Sequence, residues 1–373
     1  MNTEFPSPLD ELPLHQTPLS MRYVGTSDRN FYSRSYFNAH DRSGDVFLIS
    51  GFGAYPNLGV IDAFATVRRG DTQWAVRFSD ALDDAGRLAP VVGPYRLEVL
   101  EPLERIRIVC DGDEHGLGFD LTWDGSFPAV MERPHLMRAG PRPIIDASRF
   151  AQVGTWSGEL RVGGDTVTVD PAEWIGTRDR SWGIRPVGEA DPAGRFADDE
   201  PLEGFWWLYV PLRFEDHALI VIVQEQPDGF RTLNDATRVW GDGRVEQLGW
   251  PEVDIAYRSG TRHPEHAEIA LTERGGKDVV LDVDTLGFVP LHVGCGYGGD
   301  PDWTHGQWRG RAWAEGSVYD LTDPDIVART PFGVVDHVAR ATCGGREGWG
   351  LFEHGTFGRH DPSGFSGWDS VAP

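Results

Sequence analysis

Short stretches in which apolar and polar side chains alternate, interrupted about every ten residues by glycine or proline, run through almost the whole chain. In residues 104–110, Ile106, Ile108 and Cys110 share one face, and Leu117, Phe119, Leu121 and Trp123 do the same in the next segment, which predicts a β-hairpin. The same period of two recurs over 46–50, 73–79, 158–162, 165–169, 204–210, 266–273 and 277–283. The run Ala218, Leu219, Ile220, Val221, Ile222, Val223 is unbroken. It is far shorter than the ~20 residues of a membrane helix and predicts a strand buried on both faces. Helical periodicity is nearly absent; Asp323 and Pro324 open a single short turn before Arg329. Many short strands with frequent turns predict an all-β protein of barrels or sandwiches.

At 373 residues the chain exceeds one ordinary domain. The Pro-, Asp- and Gly-rich stretch 186–201 is the expected linker, giving an N-terminal β domain over 1–186 and a C-terminal one over 187–373. No short repeat is evident. A formal charge of −24, from 34 basic and 58 acidic residues, repels phosphate backbones and anionic bilayers. The composition therefore argues against nucleic acid and against membrane insertion. Cys110, Cys295 and Cys343 are odd in number and far apart, which offers neither a disulfide framework nor a Cys-x-x-Cys motif. With Glu4, Asp10, Glu11 and several prolines in place of a basic, then apolar, leader, a reduced cytoplasmic setting is expected. An exposed strand or aromatic patch leaves a homodimer open.

Candidate chemistry concentrates in Gly176-Thr177-Arg178-Asp179-Arg180-Ser181-Trp182-Gly183-Ile184-Arg185. In an extended segment Asp179 shares its face with Thr177 and Ser181, and the two arginines face away. If that face lines an apolar cavity, desolvation raises the carboxyl pKa and makes a general acid; if an arginine wraps back, Asp179 is a structural ion pair. Gly294-Cys295-Gly296-Tyr297-Gly298-Gly299 spells a dinucleotide fingerprint, but Asp300-Pro301-Asp302 follows instead of a helix, so nucleotide binding is rejected. The glycines there permit close backbone approach near His292 and Tyr297. No Walker loop, His-Glu-x-x-His or Gly-x-Ser-x-Gly motif occurs, and the pairs His263/His266 and His292/Cys295 have only marginal ligand spacing, scattered histidines being more often surface or core residues, so no metal is expected. Asp83-Asp84 lacks the further acidic residues of a magnesium cluster, and Asp198-Asp199-Glu200 reads as a solvated loop.

Three further segments carry weight. Residues 205–209 (Phe-Trp-Trp-Leu-Tyr) present rings on both faces, so one face should meet a second layer or a cavity wall. Residues 52–59 place Tyr55 and Asn57 in a Gly-framed turn, which reads either as a simple turn or as polar groups at a barrel mouth. Glu353 and His354 flank an apolar strand and are read as a strand-end pair rather than an acid/base couple.

The box 178–183 resembles the Asp-His-Asn-Trp-Gly box of carotenoid 1,2-hydratases (hydroxyneurosporene synthases) and their tocopherol-cyclase-like and lipocalin-type Diels–Alderase relatives, with Arg180 and Ser181 in place of the family's His and Asn. Residues 55–59 and 352–355 are similar to segments of actinobacterial members of that superfamily. The resemblance implies two lipocalin-like (calycin-like) antiparallel β-barrels packed together, an apolar pocket near their junction, and acid-catalysed addition or removal of water at an isoprenoid double bond without a cofactor. On that footing Asp179 is the expected proton donor, oriented by Arg178 or Arg180. Trp182, Trp207 and Tyr209 would stabilise an allylic cation, with Asn57 and Tyr297 beside the substrate; Tyr55 or His292 would hold the departing water. A non-catalytic carrier of apolar ligands and a cyclase or Diels–Alderase are the alternatives.

Overall fold

In a computed structural model the chain is described over residues 5–14, 17–20, 23–83, 90–139, 141–190, 203–298, 300–329 and 333–373. Most of the expected linker, the 198–200 acidic loop, Asp84 and Gly299 lie outside those residues.

Every segment predicted as a strand is one, and the strands assemble into two curled antiparallel sheets, the two-domain lipocalin-like architecture. Residues 105–110 and 117–125 pair as the expected hairpin. The central order of the first sheet is Val60–Arg69, Val46–Tyr55, Phe31–His40, Ile175–Ile184, Arg142–Val162 and Leu117–Gly125. That of the second is Arg231–Trp240, His217–Glu225, Gly204–Arg213, Arg346–His360, Val335–Cys343 and Asp278–Pro290. The short helix forms over Pro324–Arg329. The sheets do not divide the chain at one point, because Trp313–Asp320 returns to pair with Thr72–Ala81 at the edge of the first sheet.

Alternation along the strands sorts apolar side chains into three layers. Phe37, Phe52, Ile106, Ile108, Phe119, Leu121, Trp123 and Trp156 fill the first curl. Leu208, Val210, Leu219, Val221, Val223, Leu281 and Phe352 fill the second. The odd members of the 218–223 run thus point into the second curl, whereas Ala218, Ile220 and Ile222 point out of it, onto a third layer between the sheets. There they meet Tyr36, Phe47, Ile49 and Phe64 from the first sheet. Residues 206–209 divide the same way: Trp206 and Leu208 face in, Trp207 and Tyr209 face the junction. At ~1.5–3 kcal/mol per large buried apolar side chain, this middle layer is the main force holding the sheets face to face. Gly183 sits at φ +133, and a Cβ there would lie 2.1 Å from the Asp146 carbonyl oxygen, so only glycine lets Ile175–Ile184 close on its neighbour at the cavity end.

Candidate active site

Where the middle layer is incompletely filled, a cavity of about 200 Å³ opens between the sheets. One wall is built by register. Tyr36, Asp179 and Ala151 lie side by side across three strands, and Arg34, Ser181 and Arg149 form the next row; Tyr36, Arg34, Asp179, Ser181 and Arg149 line the cavity. Phe205, Trp207, Ile222, Leu233 and Glu353 supply the facing wall, and Tyr297, Val334, His135 and Arg185 close the sides.

Asp179 keeps partial exposure toward this space, and among the described residues nothing hydrogen-bonds its carboxyl group. Burial raises its pKa, while the guanidinium groups of Arg149, Arg34, Arg185 and Arg180 oppose the rise. The opposite wall carries a second acid. Glu353 is the direct cross-strand partner of Asp336, and the two carboxyl groups hydrogen-bond each other. Burial raises both pKa values, and the neighbouring Glu353 charge adds to the rise at Asp336. Ionising one of two adjacent buried carboxyl groups raises the cost of ionising the other. Asp336 Oδ1 has no conventional donor, consistent with a proton lying between the acids. Tyr36 crosses from the first sheet to donate its phenol to Asp336 and accepts from Asn38 Nδ2 at 3.3 Å; Trp207 Nε1 donates to Glu353 at 2.5 Å.

Arg149 pairs with Glu132 at 2.5 Å and lies over the rings of Trp207 and Tyr209. Burial lifts the Glu132 carboxyl to about 7 despite that partner. His135 stacks on Trp207 and is held neutral, burial pushing it down to about 4. Behind Arg34, Tyr55 donates to Asp62 at 3.1 Å and the Gly306 N–H donates to the same carboxylate at 2.6 Å; burial raises Asp62 to about 6.

Of the residues singled out from sequence, Asp179, Trp207 and Tyr297 line the cavity, and Tyr209 lies one layer behind, under Arg149. Six others are placed elsewhere. Arg178 and Arg180 point to the other face of their strand, as alternation requires, and neither orients Asp179. Arg178 makes a bidentate pair with Glu11 at 2.6 and 2.8 Å and donates to Gln152; Arg180 donates to the Glu11 and Arg34 carbonyl oxygens and to Ser33. Trp182 shares their face and is absent from the cavity wall. Tyr55 is sequestered with Asp62. Asn57 is exposed in the hairpin turn, its amide bonded to the Thr26 and Asp28 carbonyl oxygens. His292 is tied to the Arg329 carbonyl oxygen at 2.7 Å and is not part of the cavity wall, and burial lowers it to about 4. Conversely, Glu353 is not at a strand end but inside Arg346–His360, facing the cavity. Composition and motif spacing did not flag Tyr36, Arg34, Arg149, Glu132 or Asp336, and Arg185 closed the candidate stretch without being given a role.

Two other polar clusters are self-satisfied. A cavity of about 420 Å³ beside the second curl holds His360 bonded to Glu225 and Ser363 at 3.1 and 2.9 Å. The surface group His266, Asp282 and Asp284 has one carboxylate already taken by Arg340 at 2.7 Å.

Curled antiparallel sheets enclosing a junctional cavity define this as a two-domain protein of the lipocalin-like class. The chain belongs to a family of unknown function, DUF8625, whose profile matches residues 7–366. No curated protein matches its sequence. Among solved structures, a putative AttH from Nitrosomonas europaea is similar at a TM-score of 0.55 and 13% identity, over 91% of this chain and 98% of that one. CghA is similar at 0.50 and 12%, over 87% and 88%. Both likenesses are of fold. Kievitone hydratase from Nectria haematococca overlays at 0.48 and 14%, over 93% and 94%.

Proposed function

We propose that this protein is a cofactor-independent hydro-lyase that adds water to, or removes it from, a carbon–carbon double bond of a compact substrate with an apolar skeleton, such as an isoprenoid or monoterpene alcohol. The observation that carries this is the opposition of two kinds of carboxyl group across one aromatic-walled cavity: a proton-sharing Glu353–Asp336 pair and an unbonded Asp179. Both carboxyl groups are raised by burial, but they stand in different charge environments, and such a difference can divide the roles of acid and base between them.

The surroundings favour a division of labour different from the one expected from sequence. Burial raises both groups; four guanidinium groups oppose the rise at Asp179, whereas Glu353 has Asp336 beside it as a partner with which to share a proton, and on that difference Asp179 is taken as the base and Glu353 as the acid. In the dehydration direction, Glu353 protonates the substrate hydroxyl, the C–O bond breaks and water leaves. Asp179 then takes the proton from the neighbouring carbon as the double bond forms. The net result is one proton moved from Glu353 to Asp179, and hydration is the reverse. Trp207, Phe205 and Tyr297 exclude bulk water and face developing positive charge.

A purely apolar carrier fits less well, because burying Arg34, Arg149, Asp179 and Glu353 around a greasy ligand costs energy with no return in binding. The test is turnover of a panel of terpenoid alcohols and alkenes in oxygen-18 water. Label should enter or leave the product, and Glu353→Gln or Asp179→Asn should each lower the rate at least ~100-fold while the fold persists. Ring formation without water exchange would make the protein a cyclase, and binding without conversion would make it a carrier; either result overturns the proposal.

A further inference from the structure

We propose that the Arg34–Arg185 end of the cavity seats an oxyanion, so that the substrate carries a carboxylate or an acidic enol on its apolar skeleton; this rests on the cavity being the substrate site. The argument begins at His305, toward which both guanidinium groups converge. Arg34 reaches the ring through both terminal nitrogens, and Arg185 approaches Nδ1 at 3.3 Å. The other ring nitrogen, Nε2, lies 2.7 Å from the Cys295 carbonyl oxygen, which can only accept, so Nε2 carries the proton. Nδ1 therefore offers a single lone pair to two guanidinium groups, and the 3.1 Å approach of Arg34 to Nε2 sets donor against donor.

Among the described residues, no carboxylate takes up the surplus. Among the described residues, neither Arg34 nor Arg185 has a carboxylate within ion-pair distance; Asp62 and Asp179 reach Arg34 only at longer range. Arg34 is 4% exposed, and its Nε has no partner. Buried guanidinium N–H groups without acceptors are costly, and both side chains line the cavity. Their planes are held by aromatic rings, Tyr297 lying 5.3 and 5.8 Å from the two guanidinium carbons and Tyr32 lying 4.9 Å from that of Arg185. That leaves a rigid, paired set of N–H donors, suited to a planar, delocalised oxyanion. An oxyanion there would sit beside Asp179 in the same wall, which places the anionic end of the substrate near the proposed base and its hydroxyl toward Glu353.

The test uses three probes by titration calorimetry: geraniol, geranic acid, which has the same skeleton with a carboxylate, and dimedone, a cyclic 1,3-diketone with an acidic enol. On the intact chain at neutral pH, at least one anionic probe should bind ~10-fold or more tightly than geraniol, as charge-assisted bonds to a preset guanidinium pair require. Arg185→Met should abolish that advantage, with Arg34→Met as the second variant, whereas Arg244→Met on the distant surface should leave it intact. Advantage for geranic acid alone identifies a carboxylate, and for dimedone alone an enol. Equal affinity for all three probes, no binding of either anion, or an advantage that survives Arg185→Met overturns the seat. Ala147→Trp, which fills the cavity, separates the two claims. If it abolishes binding of probes that show no anion preference, only the seat fails. If all probes still bind, the cavity itself is not the substrate site.

Discussion

Glu11→Gln is the sharpest probe of the claim that Arg178 and Arg180 build the site's support rather than take part in its chemistry. The Glu11 carboxylate receives two Arg178 N–H bonds, at 2.6 and 2.8 Å, and the Leu103 backbone N–H at 2.7 Å. The side chains of the pair are 4% and 2% exposed. Burial alone would raise the Glu11 pKa, but the charge and hydrogen bonds of Arg178 overcome it and hold the group below its ordinary value. Replacing the carboxylate with an amide leaves a buried guanidinium without its counter-charge, a loss of about 3–5 kcal/mol. At ~2–4 °C per kcal/mol for a chain larger than a small domain, the melting temperature should fall by roughly 10 °C at pH 7. The sign with pH follows from the lowered pKa: the contribution is complete above the ordinary value of 4.5 and vanishes as pH falls through the folded one. The gap between wild type and variant should therefore close in acid. Urea unfolding across pH 3–7 measures it, and the double variant Glu11→Leu, Arg178→Met should recover much of the loss. Unchanged stability at pH 7, or a loss of turnover in a fully folded Arg178→Met protein, would refute the structural assignment.

Two further outcomes test the buried acids. Asp336→Asn removes the shared proton and supplies an amide donor that favours ionised Glu353; the high-pH limb of turnover should move to lower pH, and an unshifted profile would show that Asp336 does not govern the acid. Asp62→Asn fits its site, with the side-chain oxygen accepting from Gly306 N–H and the amide donating to Tyr55. The raised pKa of Asp62 means that the native state keeps a proton the unfolded chain loses, so wild-type stability falls between pH 4 and 6. The gap from 3.8 to about 6 corresponds to ~3 kcal/mol at ~1.36 kcal/mol per pH unit. Unfolding free energies of the variant should be flatter by that amount over this range, and parallel curves would contradict the assignment.

What could be read from the chain in advance divides along a physical line. Period-two patterning is local, so the strands, the hairpin at 105–125 and the doubly buried run 218–223 were legible. The same local rule put Asp179 on one face and Arg178 and Arg180 on the other, yet it could not say that Glu11 would claim Arg178. The second acid is a different matter. Asp336 stands in Val334-Val335-Asp336-His337-Val338 and Glu353 follows Leu351-Phe352. A carboxylate inside an apolar strand is a costly placement that invites a search for a partner. The identity of that partner depends on the register of Val335–Cys343 against Arg346–His360, and the third member, Tyr36, arrives from another sheet. Arg34 and Arg149 became site residues because Ser181 lies between them in a row of three strands, a relation with no signature in spacing. Hence a motif located Asp179, while Glu353 and the charge around the cavity came from tertiary placement. It is that charge, more than the aromatic wall expected from composition, that distinguishes this cavity from a simple apolar pocket.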